Sequence, residues 1–359
     1  MALRVLVVDD TIVYRKIIGD VLNDFPDVEV VGTASNGKIA LNRIESLKPD
    51  LITLDVEMPV MDGVQTLEEI QKRKINVGVV MVSTLTKRGS DITMKALELG
   101  AFDFITKPDK ESREENISIL QRALSPRVKH FLKRLDIKKA LRKTDKDPRV
   151  KPKPASTPTI HSARMAHEKS DIVAIGISTG GPNALTRMLP MLPGNLNVPV
   201  VIVQHMPPIF TKSLAESLDQ KCSLRIKEAE DGEILRSNHV YIAPGGKQTK
   251  VVTGAAQKKI LRITDDPPEN NCKPAADYLF RSVAREFKNK VTGVIMTGMG
   301  NDGTLGLKVM KALGAVVIGQ DEDTCVVYGM PKMAHDAGVV DIMVPLERIA
   351  AEIVSTVKR

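Results

Sequence analysis

The chain has 359 residues, 42% apolar and 27% charged, and no apolar run near the roughly 20 residues that cross a bilayer, so two globular domains without membrane insertion are expected. Its formal net charge of +8 is local: residues 127–169 hold 14 Lys/Arg against four Asp/Glu, a net of +10, which leaves the remainder at −2. Cys222, Cys272 and Cys325 are odd in number, and like the scattered histidines they lack metal-ligand spacing, which argues against a disulfide framework or a zinc cage and for a reducing, cytoplasmic setting. Met1-Ala2-Leu3-Arg4 enters a strand-like run at once, with no signal-peptide pattern. Strand signals over Arg4–Val8, Val28–Ala34, Leu51–Leu54, Val77–Val82 and Phe102–Ile105 alternate with helical patterns over Val13–Asn23, Gly37–Leu47, Val64–Lys72, Ile92–Leu99 and Glu114–Leu124. Five such βα repeats predict a doubly wound parallel sheet.

Residues 127–143 keep a helical spacing through Val128, Phe131, Leu132, Leu135, Ile137 and Leu141, whereas 144–169 is rich in Lys, Pro, Ser and Thr and reads as an extended linker. Strand signals resume at Ile172–Ile177, Val198–Val203 and Ser223–Glu228. Val240–Ala243 and Lys250–Thr253 are expected to pair as a hairpin, with Lys259–Thr264 as a further hairpin-type strand. Pro274–Phe287 is an amphipathic helix, Val291–Thr297 and Ala315–Ile318 are buried strands, and Met330–Ala337 and Leu346–Val357 are helices. This is a second α/β domain with a mainly parallel sheet and an antiparallel hairpin. The expected boundaries are 1–124, a basic linker over 125–169, and 170–359.

Asp9, Asp10 and Asp55 each stand at or just past a strand end, where parallel sheets open their ligand crevice. Three carboxylates repel one another, and a hard divalent cation relieves that repulsion. Ser83 and Lys107 end the fourth and fifth strands, where a hydroxyl and an ammonium suit phosphoryl oxygens. With Glu57-Met58-Pro59, Met61-Asp62-Gly63 and Lys107-Pro108, this set resembles the response-regulator receiver family over residues 1–124. The resemblance implies a flavodoxin-like fold, phosphorylation of Asp55 by a chemotaxis histidine kinase, and Mg²⁺ held by Asp10, Asp55 and the Glu57 carbonyl with help from Asp9. It also implies a Ser83/Phe104 switch pair acting with Lys107, and a cis Lys107–Pro108 bond.

In the second domain, Gly176-Ile177-Ser178-Thr179-Gly180-Gly181-Pro182 follows a strand and precedes a helical run. That is a strand–turn–helix with a hydroxyl at its apex, satisfying G-x-S-x-G, and the same pattern serves phosphate-binding loops. A dinucleotide site would need an acidic residue at the end of the next strand, and Gln204-His205 stands there instead, which favours catalysis. His205 is a candidate base, and Asp302, in the Gly-rich Thr297–Gly303 segment, a candidate orienting carboxylate. The order Ser, His, Asp differs from that of α/β-hydrolases.

Gly176–Pro182, Gln204–Pro207, Ala243-Pro244-Gly245-Gly246 and Thr297–Gly303 resemble the chemotaxis protein-glutamate methylesterase (CheB) family over residues 171–359. The resemblance implies Ser178 as nucleophile, His205 as base and acid, Asp302 as its orienter, and the Met299 N–H in an oxyanion hole. The expected activity is phosphorylation-activated hydrolysis of glutamate γ-methyl esters on methyl-accepting chemotaxis receptors, with methanol released and receptor glutamines deamidated, and with no cofactor for the esterase. No nucleic-acid partner is expected, since aromatic residues make up 3% and Trp is absent. A receiver-regulated nucleotide-binding module is the alternative reading, with a DNA-binding response regulator third.

Overall fold

The structure is a computed structural model that describes residues 2–144 and 168–357. The chain divides into two compact units, 1–156 and 157–359. In the first, β1 (Leu3–Val8), α1 (Ile12–Asn23), β2 (Val28–Ala34), α2 (Gly37–Leu47), β3 (Leu51–Asp55), α3 (Gly63–Lys72), β4 (Gly78–Ser83), α4 (Lys87–Glu98), β5 (Asp103–Thr106) and α5 (Arg113–Thr144) alternate as expected. The sheet is parallel throughout, in the order β2-β1-β3-β4-β5. Its central strands are buried on both faces, which is why they read as unbroken apolar runs rather than alternating ones. Chain direction across the sheet reverses between β1 and β3, so the crevice at their carboxyl ends is the natural ligand site.

Helix α5 departs from the sequence expectation. It does not stop near Leu124 but runs through Pro126 to Thr144. Proline inside a helix costs about 3 kcal/mol. Val128 and Phe131 continue the buried stripe of Leu120 and Leu124 into the core of this unit, and each buried side chain of that size returns about 1.5–3 kcal/mol. Arg127 adds an ion pair to the buried Asp103 at 2.8 Å and donates to the Phe104 carbonyl at 2.8 Å. Of the linker expected over 125–169, residues 145–167 lie outside those described.

In the second unit follow β6 (Ile172–Ile177), α6 (Gly181–Met188), β7 (Val200–Gln204), α7 (Phe210–Asp219), β8 (Arg225–Glu228), β9 (His239–Ile242), β10 (Gln248–Thr253), β11 (Lys259–Thr264), α8 (Ala276–Phe287), β12 (Val291–Ile295), α9 (Thr304–Ala312), β13 (Val316–Gln320), α10 (Met330–Asp336), β14 (Ile342–Val344) and α11 (Leu346–Val357). Seven strands form one parallel sheet in the order β14-β13-β12-β6-β7-β9-β8. The chain builds outward from β6 first through β7 and later through β12, so the switch point lies at β6 with β7 and β12 on its flanks.

Two expectations are corrected. The hairpin is β10 with β11, in a separate two-stranded sheet, whereas His239–Ile242 joins the parallel sheet. Val240, Tyr241 and Ile242 are buried and fit an interior parallel strand, while β10 and β11 bury Val251 and Leu261 in the core cluster that holds α8 residues and leave most of their other side chains partly exposed. The Lys107–Pro108 bond is trans, and the cis bond among the described residues is Lys273–Pro274. Trans is the lower state for X–Pro, and in it Lys107 already reaches both Asp9 and Asp55.

Candidate active site

The first unit gathers its acidic residues as the sequence suggests. Asp9 and Asp55 are buried at the ends of β1 and β3, with Asp10 exposed beside them. One ligand oxygen from each of the three lies within 4.8 Å of the others. The Lys107 ammonium is 2.7 Å from both Asp9 Oδ2 and Asp55 Oδ2. Burial, partly offset by Lys107 and reinforced by Asp9, pushes the Asp55 carboxyl up to about 6. Burial opposes the charge on Lys107, but Asp55 and Asp9 hold its affinity for protons above the ordinary range. One cation therefore faces three acids, a deficit of positive charge that suits a hard divalent ion bound by oxygens. The Glu57 carboxylate faces the Arg88 guanidinium at 3.3 Å. Ser83 is buried and its hydroxyl donates to the Gly89 carbonyl at 3.2 Å. Phe104 is also buried, on β5.

In the second unit, Ser178 is the first residue beyond β6 and His205 the first beyond β7, and the pairing of Ile177 with Gln204 makes them neighbours across the sheet edge. The His205 N–H donates to the Ile177 carbonyl at 3.1 Å, and the Gln204 amide donates to the Ser178 carbonyl at 3.0 Å. The Ser178 N–H donates to the Thr297 carbonyl at 2.9 Å, which ties in the segment after β12. Gly298 passes so close that a Cβ there would lie 2.7 Å from the Ser178 Cβ. Gly180 has φ +76 at the start of α6, where a side chain would also meet Val326.

His205 Nε2 and Asp302 Oδ2 are 2.7 Å apart. Asp302 is buried and also accepts from the N–H groups of Ala276, Asp277 and Gly303 and from the Asn270 amide. Burial alone would raise its affinity for protons, but His205 and the amides at the start of α8 outweigh burial and hold it below the usual carboxylate range. Asp302 thus caps α8 from a distant loop rather than its own helix, whose cap is Gly303. Burial also disfavours the imidazolium of His205, yet the bond to Asp302 and the Cys272 sulfur push it up to about 9.

The expected proton-transfer contact between Ser178 and His205 is not formed: the Ser178 hydroxyl has no hydrogen-bond partner among the described residues. His205 Nε2 is taken by Asp302, and Nδ1 faces Cys272 Sγ at 3.7 Å. Met299 is half exposed, and neither its N–H nor that of Thr179 has an acceptor among the described residues.

Sequence reasoning missed Asn270, Cys272 and Asp277. Asn270 donates to Asp277 Oδ2 at 2.9 Å and to Asp302 Oδ1 at 3.1 Å, and Asp277 accepts from the Gly306 N–H at 2.6 Å. The one local signal was the Asn270-Asn271 pair, since asparagine tolerates the left-handed backbone (φ +51 and +59) that this loop adopts.

Residues 173–353 match the family described as CheB methylesterase, and residues 5–117 match the response regulator receiver domain. The chain is 54% identical to a protein-glutamate methylesterase/protein-glutamine glutaminase of Desulfotalea psychrophila, with 99% of each chain covered. It is 45% identical to the protein of that name from Bacillus subtilis, again over 99% of each. The crystal structure of the Thermotoga maritima CheB methylesterase catalytic domain matches with a TM-score of 0.51 and 42% identity, covering 52% of this chain and 99% of that one.

Proposed function

The chain belongs to the CheB methylesterase family and carries a response regulator receiver domain ahead of the esterase, and on that premise we propose that it hydrolyses glutamate γ-methyl esters on chemotaxis receptors, releases methanol, and deamidates receptor glutamines under control of receiver phosphorylation. The observation that carries this reading is the buried His205–Asp302 pair at the same sheet edge as Ser178. Because α5 carries Val128 and Phe131 into the core of the first unit, we extend the receiver beyond the expected 1–124 to include them, and we assign the esterase to 170–359.

Ser178 attacks the ester carbonyl, and the Met299 N–H, with that of Thr179 beside the nucleophile, faces the developing oxyanion. Asp302 occupies Nε2, so Nδ1 is the nitrogen that takes the hydroxyl proton, exchanging its thiol contact for Ser178 when substrate fills the cleft. Hydrogen bonds of this kind often tighten only in the loaded enzyme. His205 then gives the proton to the departing methoxide and draws one from the water that hydrolyses the acyl-enzyme. Asp302, fixed by four donors besides the imidazole, stays ionised and orients the ring.

In the receiver, Asp55 accepts the phosphoryl group from a histidine kinase, and Lys107, Ser83 and Phe104 respond to it. Asp9, Asp10, Asp55 and the Glu57 carbonyl would hold a Mg²⁺, which when bound neutralises charge on the phosphoryl oxygens. No described helix is long and apolar enough to cross a membrane. We place the protein in the cytoplasm on the grounds of its three free cysteines and of a kinase as phosphodonor. The deciding experiment measures methanol release from methylated receptor with wild type and S178A. Loss in S178A with an unchanged circular dichroism spectrum is expected, and near-normal turnover would overturn the assignment.

A further inference from the structure

We propose that a thiophilic divalent cation, with Zn²⁺ as the type case, binds between Cys272 Sγ and His205 Nδ1 and so removes the proton acceptor from the esterase site. The sulfur and the ring nitrogen are 3.7 Å apart. Zinc bound at about 2.3 Å to sulfur and about 2.0 Å to nitrogen in a tetrahedron separates its two donors by about 3.5 Å. Asp302 completes the cluster, a carboxylate oxygen, a His205 ring nitrogen and the Cys272 sulfur all lying within 4.8 Å of one another, but it is bonded to Nε2 and so supports the imidazole from behind while sulfur and Nδ1 are the two ligands. Asp302 also makes the contact that metal-binding histidines usually have, since its bond to Nε2 orients the ring and leaves Nδ1 as the nitrogen that faces the sulfur.

The sulfur is held in place rather than merely near. Glu269 and Cys272 exchange main-chain hydrogen bonds of 3.1 and 2.7 Å, and the Glu269 carboxylate is anchored by the Arg281 guanidinium on α8. Cys272 is half-buried, so ions can reach it from solvent. Cation binding releases the protons carried by Sγ and Nδ1, with no change of oxidation state. The remaining coordination positions are left to water.

Ligand chemistry separates this site from the receiver's. Asp9, Asp10 and Asp55 offer only oxygen and suit a hard ion, whereas Cys272 and His205 offer sulfur and nitrogen and favour a softer one. Among the described residues these are the two groups of three or more His, Cys, Asp or Glu that could hold an ion. Cation binding is independent of the catalytic reading; inhibition rests on His205 being the base.

The test uses the full-length chain, stripped with EDTA and returned to excess Mg²⁺ so that the receiver carboxylates are saturated. Addition of CoCl₂ should produce a thiolate-to-cobalt charge-transfer absorption, and ZnCl₂ should displace it at one equivalent per chain. Methanol release should fall by about tenfold or more at that stoichiometry and recover with EDTA. C272S should lose the absorption, H205Q should weaken cobalt binding by about tenfold or more, and C222S should keep the wild-type response. Absence of the absorption in wild type, or its persistence in C272S, overturns the proposal. An absorption that behaves as expected while methanol release is undiminished supports the cation site and instead removes His205 from the role of base.

Discussion

At the scale of single residues, His205 is raised by its bonds to Asp302 and Cys272 against its burial, and Asp55 is raised by its burial against Lys107, and both displacements can be tested by pH. His205 gains protons more readily in the fold than its ordinary 6.5, reaching about 9. As a base it must be neutral, so kcat/KM for methanol release should climb with pH up to a limb near 9. Replacing Cys272 with Ala removes one of the contacts that raise it and should move that limb to lower pH. The same shift is a stability term. The folded value exceeds the unfolded one, so the contribution is complete below pH 6.5 and disappears as pH rises through about 9. Urea unfolding of H205Q should lack that decline. Asp55, raised from 3.8 to about 6, behaves in the same sense: its stability term is present below pH 3.8 and is lost as pH rises through about 6. Mg²⁺ should restore stability above that window, and D55N should lack the pH-dependent loss and gain less from Mg²⁺. For the nucleophile, S178A should lower turnover by about 10³-fold or more with the fold retained.

At the scale of elements, α5 is the instructive case. Gly78 opens β4, and a Cβ there would lie 2.2 Å from the Phe131 ring, so strand and helix are fitted to each other at a point where neither tolerates change. F131A should cost about 3–5 kcal/mol in the unfolding of an excised receiver spanning residues 1–144. A fragment ending at residue 124 should melt well below it, because Val128 and Phe131 are then missing from the core. Equal thermal midpoints for the two fragments would mean that the second half of α5 contributes nothing to the receiver. The same logic explains why the helix continues through Pro126: a local penalty of about 3 kcal/mol is outweighed by two buried apolar side chains.

At the scale of the whole molecule, a phosphoacceptor unit and a hydrolase unit lie on one chain, so chemistry at Asp55 should be read out as a rate at Ser178. Acetyl phosphate with Mg²⁺ should raise methanol release several-fold, and D55N should abolish the increase without touching the basal rate. Removal of residues 1–123 should raise basal turnover. An unchanged or lower rate would argue that the receiver does not restrain the esterase. Such control requires that phosphorylation favour one state of the receiver over another by a definite free energy.

Much of this was legible before any coordinates. Strand–helix alternation fixed both α/β units, because parallel strands buried on two faces leave apolar runs that no other architecture explains as simply. Polar residues just past those runs marked the site edges, so Asp9, Asp10, Asp55, Ser178 and His205 could be picked out one by one. What the chain order could not tell was which strand lies beside which: only the order β12-β6-β7 makes Ser178 and His205 neighbours and brings the loop carrying Asp302 to them. Nor could spacing reveal Asn270 bridging Asp277 and Asp302, or Cys272 meeting His205 67 positions away. Periodicity records how a segment faces its own core, whereas a contact between loops depends on the path of everything folded between them.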